Sequence, residues 1–549
     1  MFFIGSIILT NCYIFFYGII VKKFFFRNYQ ISTQEIGIYG SIFVSFLSIL
    51  INFISPLSPI VCSIILAIPF FFLIKKNFVN KKDIIFILIT SIFTIFILAY
   101  SNINTPDAGL YHLPYIQTIN ENKIIIGLSN IHSRFGHVSI LQYLSAINFN
   151  HLFGVQGILI PSASLMVFCL LYFVSEVFKF INKDKVFNIE IFFSIAVIIY
   201  ITFKVNRYSG FGNDAVAHLL FFYLISIFFK AKENYTSLYK TSLISVFIFL
   251  NKITLGLSFL FPLYVFLKCK ERLKIIFSFP LLLLLLWLTK NFLVSGCLIF
   301  PVEKTCSKNI YWSNIKLIKE QKILGEAWAK GWPDRDNLEI DQKKFVMGFN
   351  WLEAWSKKHL KYILKIIIPY LIFLSLLIIS INYFKKEKFK KFKFYKFYKE
   401  KIIFLIFILF LSNIIFILKF PLYRYGYSYL ISFLIIVFSY FIFRFDTRFL
   451  IKLFKNIITI CLIIFCTKQL IRINNNYESG SIWPNIYSFL PNQIKEDPLK
   501  MNLGNEFSVF IKKNECMYNK KNFSPCTSYF SDKISHRKFN NYDVIFLKN

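Results

Sequence analysis

One pattern repeats along the chain: runs of roughly 20 residues built almost entirely from Phe, Ile, Leu and Val, separated by short Lys- and Asn-rich turns. A helix of that length matches the hydrocarbon core of a bilayer, where every backbone polar group must be satisfied internally. Crossings are expected near residues 3–21, 36–54, 58–74, 83–100, 155–178, 188–204, 214–230, 274–294, 360–383, 400–418, 426–444 and 449–470. The expected fold is an all-α polytopic membrane protein with about 12 full transmembrane helices. With 56% hydrophobic and 20% aromatic residues, a water-soluble class is excluded.

Charge sets the orientation. The formal net charge of +35 is spread over short loops, and no basic domain stands free of the apolar runs, so no nucleic acid is expected as a partner. Lys22, Lys23 and Arg27, then Lys75, Lys76, Lys81 and Lys82, then Lys183 and Lys185, then Lys268, Lys270, Arg272 and Lys274 fall on one side by parity, which the positive-inside rule makes cytoplasmic. The Lys/Phe run at 384–401 joins them. The first apolar run has no basic residue ahead of it and several behind, the reverse of a cleavable signal, so it is expected as a retained span with its start outside.

The opposite face receives the loop Ser101–His137, the turn at 206–214, the loop 295–359, the turn Pro421–Arg424 and the tail after Leu470. The expected organisation is a transmembrane module over 1–470, with outer loops 101–153 and 295–359, and a small extracytoplasmic C-terminal domain over 471–549. Segment 138–153 is apolar but short and is expected to lie along the outer surface as an interfacial helix. Residues 241–267 are flanked by basic residues at both ends yet too short for two complete spans; a broken helical hairpin with Asn251 and Lys252 at its apex avoids placing a lysine at the bilayer centre, which costs about 3 kcal/mol. Trp312, Trp328, Trp332, Trp351 and Trp355 in the long loop suit interfacial anchoring, and aromatic faces also stack on sugar rings.

Ten cysteines contain no CxxC pair. Four fall outside in two local pairs, Cys297 with Cys306 and Cys516 with Cys526, and in an oxidising compartment these are expected as two disulfides. The candidate chemistry lies on the same face. Asp107 and Asp214 are the acids; His112, His132, Arg134, Arg207, Lys252, Lys290 and Arg424 are the candidate substrate-binding groups. An acid that takes the proton of an acceptor hydroxyl, beside cations that hold a departing phosphate, suits transfer of a group from a lipid phosphate at a membrane surface. His112, His132 and His137 share a loop, but no HExxH or carboxylate at ligand spacing accompanies them, so no metal site is assigned; a divalent cation bridging a donor phosphate and Asp107 is compatible with the loop.

Several stretches carry a resemblance: PDAGLYHLPYIQTINE at 106–121, GLSNIHSRFG at 127–136, SGFGNDAVAHLL at 209–220, LTKNFLVSGCLIFP at 288–301 and SPCTSYF at 524–530. As a set they are similar to an uncharacterised family of bacterial polytopic proteins from surface-polysaccharide loci. The long outer loop with an Asp near its start resembles, more broadly, the GT-C class of integral-membrane glycosyltransferases. That resemblance implies a GT-C-like fold in a bacterial inner membrane, with the active site facing the periplasm or exterior. It also implies a polyprenyl-phosphate sugar donor and a glycan or glycolipid acceptor. It makes Asp107 the catalytic base, Asp214 an acid that orients substrate or cation, and Arg424, in the turn FPLYRYG at 420–426, a donor-phosphate contact. A polysaccharide polymerase or ligase acting on polyprenyl-diphosphate chains, and a transporter of lipid-linked sugar, stand as the other readings.

Overall fold

The computed structural model describes residues 2–26, 31–74, 79–101, 107–150, 152–184, 188–204, 214–333, 341–383, 394–439, 447–477, 498–503, 507–512, 516, 523–528, 531 and 533–548. In chain order its α-helices are α1 Phe2–Phe25, α2 Thr33–Ile54, α3 Pro59–Ile74, α4 Lys81–Leu98, α5 Leu113–Glu121, α6 Ile140–Ala146, α7 Ile160–Lys179, α8 Ile189–Lys204, α9 Asp214–Lys230, α10 Tyr235–Asn251, α11 Leu260–Lys268 and α12 Phe279–Ser295. They continue with α13 Ile315–Ala329, α14 Gln342–Val346, α15 Leu352–Trp355, α16 Lys361–Tyr383, α17 Phe394–Lys419, α18 Tyr423–Ser439 and α19 Thr447–Tyr477. The protein is a predominantly helical polytopic membrane protein with a few strands near its C-terminal end. Among the described residues seven helical stretches are long and apolar enough to cross a bilayer.

Helices that are apolar on every side belong in the interior. Those of α8 and α9 do so here: Glu190–Thr202 and Val216–Phe229 are buried without a break. The span containing α7 is 83% buried against 22% for that of α19, which puts α7 at the centre and α19 at the rim. Small residues set the closest approach, as expected where helix backbones must touch without a solvent-driven force. A Cβ on Gly40 of α2 would overlap the carbonyl oxygen of Ile14 on α1, so these two helices pack backbone to backbone.

The chain breaks where the sequence placed an apex. α10 ends at Asn251, Lys252 is extended at φ −150° and ψ 102°, and a 3-10 stretch Ile253–Phe259 leads into α11. By contrast, the expected interfacial helix within 138–153 is corrected: all seven residues of α6 are buried, because α2, α5, α7 and α10 surround it. The segment has too little polar surface to lie in an interface, so its apolar character reflects protein on every side. The tryptophans likewise make a local core: Trp332 and Trp351 are buried with Ala327 and Phe345, and the Trp355 indole N–H donates to the Pro421 carbonyl at 2.7 Å.

Beyond α19, which continues to Tyr477 past the expected boundary at 470, the described chain is β rather than helical. Strands β1 Leu499–Asn502 and β2 Ser508–Ile511 pair antiparallel with Leu499 opposite Ile511, and β3 Cys526–Thr527 runs parallel to β2. Strands β4 Ile534–Phe539 and β5 Tyr542–Leu547 form a hairpin. Its turn is Asn540–Asn541, both at positive φ (43° and 65°), the geometry that matches the twist of a two-residue hairpin and that Asn tolerates best after Gly. Cys297 is bonded to Cys306 and Cys516 to Cys526.

The hairpin is hydrogen-bonded to the bundle. The Ile126 N–H donates to the Asp543 carbonyl at 2.9 Å and the Ile545 N–H returns to the Ile126 carbonyl at 2.8 Å, so β5 pairs with the loop between α5 and α6. Asn130 donates to the carbonyls of Trp312 and Ile545 at 2.9 and 3.1 Å, and the Tyr542 hydroxyl donates to the Phe53 carbonyl at 2.7 Å. One end of the bundle is therefore built jointly by three segments far apart in sequence.

Candidate functional site

At that end the helices leave a cavity of about 1010 Å³, the size of a substantial small-ligand site. Its walls come from the loop after α4, the start of α9, the break after α10, α12, α13, α16 and the turn from α17 to α18. Of the sequence-predicted residues, Asp107, His112, Arg134, Asp214, Lys252 and Arg424 all line it.

The turn that presents Arg424 follows from Pro421, which has no N–H to continue α17 beyond Lys419. α18 restarts at Tyr423, and its first turn is stitched to the broken helix. Lys252 Nζ donates to the Arg424 carbonyl at 2.8 Å, and His218 Nε2 of α9 donates to the same oxygen at 2.9 Å. The Thr254 hydroxyl donates to the Tyr425 carbonyl at 3.2 Å, and the Tyr429 hydroxyl returns to the Thr254 carbonyl at 3.0 Å. The Arg424 backbone is thus fixed by two donors, while its guanidinium is half exposed to the cavity, 3.8 Å from the Asp107 carboxylate.

Lys252 itself is committed elsewhere. Its ammonium is ion-paired with Asp214 and lies 4.9 Å from the centre of the Tyr425 ring; the lysine side chain is 6% exposed and that of Asp214 34%. The acid therefore faces the cavity and the lysine stands behind it. A buried cation needs both a counter-charge and a hydrogen bond. Lys252 has both.

Beside Arg424, a π-helical turn Ala108–His112 follows Asp107 directly and runs into α5. The Gln142 amide of α6 donates to His112 Nδ1 at 2.6 Å, which leaves the ring proton on Nε2. Burial pushes the His112 imidazole down to about 4, so it is a neutral donor near pH 7. Arg134 lies against the Tyr111 ring at 5.9 Å. His132 is turned away from the cavity: its Nδ1 accepts the Arg134 N–H at 3.1 Å, and burial, aided by the Arg134 charge, holds it at about 4.

Lys290 is not in the cavity wall. It is fully buried in α12, bonded to Asn291 Oδ1 at 2.6 Å and set between the rings of Trp287 and Tyr143. Arg207 lies outside the described residues. Among the described residues no three His, Cys, Asp or Glu side chains converge as metal ligands.

The sequence reasoning missed a tyrosine belt. The hydroxyls of Tyr200 and Tyr423 meet at 2.7 Å, Tyr427 stacks on Tyr423 and packs on His218, and Tyr362 closes edge-on over Tyr423. A signal was present: in a chain with 70 Phe and 31 Tyr, the run YRYGYSY at 423–429 places Tyr at every second position of one helix start. Lys204, Gln321, Lys322 and Lys419 also line the cavity without having been singled out.

A family model described as a domain of unknown function, DUF8201, matches residues 1–431, a stretch that contains every residue of the cavity wall. No curated protein and no solved structure gives a significant match.

Proposed function

The chain belongs to the DUF8201 family, and on the chemistry of its cavity we propose that it is an integral-membrane glycosyltransferase of GT-C type, moving a sugar from a polyprenyl-phosphate donor to a cell-envelope glycan or glycolipid. One observation carries this reading: a half-exposed carboxylate, Asp107, lies beside a half-exposed guanidinium, Arg424, in the wall of a cavity large enough for a sugar and its acceptor. In this reading all twelve apolar helical stretches cross a bacterial inner membrane, the pair α10–α11 enters and leaves on one side, and the cavity opens to the outer leaflet.

The chemistry assigns each group a task. Asp107 takes the proton from the acceptor hydroxyl as the new glycosidic C–O bond forms at the anomeric carbon. The bond from that carbon to the phosphate oxygen breaks, and its electron pair leaves with the lipid phosphate. Arg424 and Arg134 stabilise that anion as charge develops on it. Neutral His112 offers Nε2–H to a sugar hydroxyl, and the tyrosine belt supplies ring faces and hydroxyls of the kind that hold sugars.

The test is a deletion strain complemented with wild type or Asp107→Asn, read by surface-glycan composition. A general base contributes roughly 10²–10⁴-fold, so Asp107→Asn is expected to lose one sugar residue that wild type restores. Full restoration by Asp107→Asn ends this reading, and unchanged composition with altered chain length replaces it with a polymerase.

A further inference from the structure

The cavity holds more positive charge than its own acids balance. Three of its acids are Asp107, Asp214 and Glu326. Asp214 is taken by Lys252. Glu326 Oε1 is shared between Lys330 at 2.7 Å, buried behind the wall, and Lys419 at 3.5 Å, 64% exposed, so one negative charge is set against two positive ones. Asp107 offsets Arg424.

Lys204, Lys322 and Lys419 remain, contributed by α8, α13 and α17. Among the described residues, Lys204 and Lys322 have no acid within ion-pair distance. These three line one cavity, beside Tyr362, His359 and Gln321. Tyr362 at the start of α16 is 59% exposed, and Ile368 and Ile372 further along the same helix are 49% and 56% exposed, so α16 presents an apolar outer face beyond the cavity.

We propose that Lys204, Lys322 and Lys419 form a second anion subsite, separate from the Asp107–Arg424 pair, that takes the diphosphate of a lipid-linked acceptor whose chain lies along α16. The proposal deepens the glycosyltransferase reading and rests on it for the word acceptor. A donor phosphodiester carries one negative charge and suits the Arg424–Arg134 side. Three further cations call for a ligand with two or more charges, and an aliphatic chain beside it suits the exposed isoleucines.

The experiment uses the purified full-length protein in lipid nanodiscs and measures equilibrium binding of farnesyl diphosphate, farnesyl monophosphate and inorganic diphosphate. Wild type is expected to bind farnesyl diphosphate at least tenfold more tightly than the monophosphate, with inorganic diphosphate competing. The double variant Lys204→Gln/Lys322→Gln is expected to lose that preference, and Lys204→Arg/Lys322→Arg to keep it; both substitutions lie at partly exposed positions, and an unchanged unfolding midpoint checks the fold.

Equal binding of the two lipids by wild type, or an unchanged preference in the Gln variant, overturns the proposal. Failure of inorganic diphosphate to compete overturns headgroup recognition in favour of chain burial alone. Because binding is read without turnover, a failure here is distinct from a failure of Asp107→Asn to abolish transfer.

Discussion

Arg424 and Asp107 face each other at 3.8 Å, each about half exposed, although one opens the last helix of the family-matched segment and the other follows its fourth. At that distance they form a loose ion pair with no space between them, and the exposure of both side chains leaves each able to reach a ligand beside the pair. The Arg424 backbone, held by Lys252 and His218, lets the guanidinium turn without the turn itself moving.

Arg424→Gln is therefore expected to keep the fold and lose function. A charged hydrogen bond to a developing anion is worth about 3 kcal/mol, or roughly a hundredfold in rate. Arg424→Lys restores part of it, because an ammonium supplies charge without the two-pronged geometry. Quantitative surface-glycan analysis in the complemented strain reads both; wild-type levels with Arg424→Gln would remove Arg424 from the site.

The Asp214–Lys252 pair predicts an asymmetry. Asp214→Asn strands a lysine that is almost wholly buried, and should cost about 3 kcal/mol or more. Lys252→Met strands an acid that is one-third open to the cavity and should cost clearly less. Thermal unfolding of the two variants in the same detergent compares them, and equal losses would contradict the burial difference.

Acid should weaken the loop that carries Asp107. His112 and His132 sit near pKa 4 in the fold against about 6.5 when unfolded. Above pH 6.5 both states are neutral and nothing is lost. As pH falls from 6.5 towards 4 the unfolded chain binds protons that the fold refuses, so stability drops by up to about 1.4 kcal/mol per pH unit for each histidine and then levels off. Replacing both with Gln should reduce the slope of the unfolding midpoint over that window, the remainder coming from other buried histidines such as His137; an unchanged slope would rule these two out as acid-sensitive groups.

Gly127 tests how the hairpin is attached. Its φ is +71°, and a Cβ there would overlap the Ile545 carbonyl oxygen. Gly127→Ala should release β4–β5 from the loop and make the chain after Tyr477 more rapidly cleaved in limited proteolysis, with the helical bundle intact. Cleavage at the wild-type rate would mean that the remaining contacts hold the hairpin without the pairing at Ile126.

Much of the helical layout was legible because apolar runs write themselves locally: each of the twelve apolar stretches contains a helix, seven helical stretches among the described residues are long and apolar enough to cross a bilayer, and a lysine inside an apolar run marked the break after Asn251. The cysteine pairs were readable for the same reason, each closing a short loop. What stayed hidden depended on partners far away in sequence. α6 reads as surface-lying until α2, α5, α7 and α10 are seen around it. Lys252 reads as a free cation until Asp214 is seen beside it, and Lys290 as a candidate contact until the rings of Trp287 and Tyr143 enclose it. The pairing of Ile126 with Val544 has no local signature at all.

That pairing also makes the cavity wall answer to a distant part of the chain. β5 completes the backbone hydrogen bonding at Ile126, in the loop that leads on to Arg134. A change confined to β5 is therefore felt at the site through Ile126, with no contact between β5 and the ligand required.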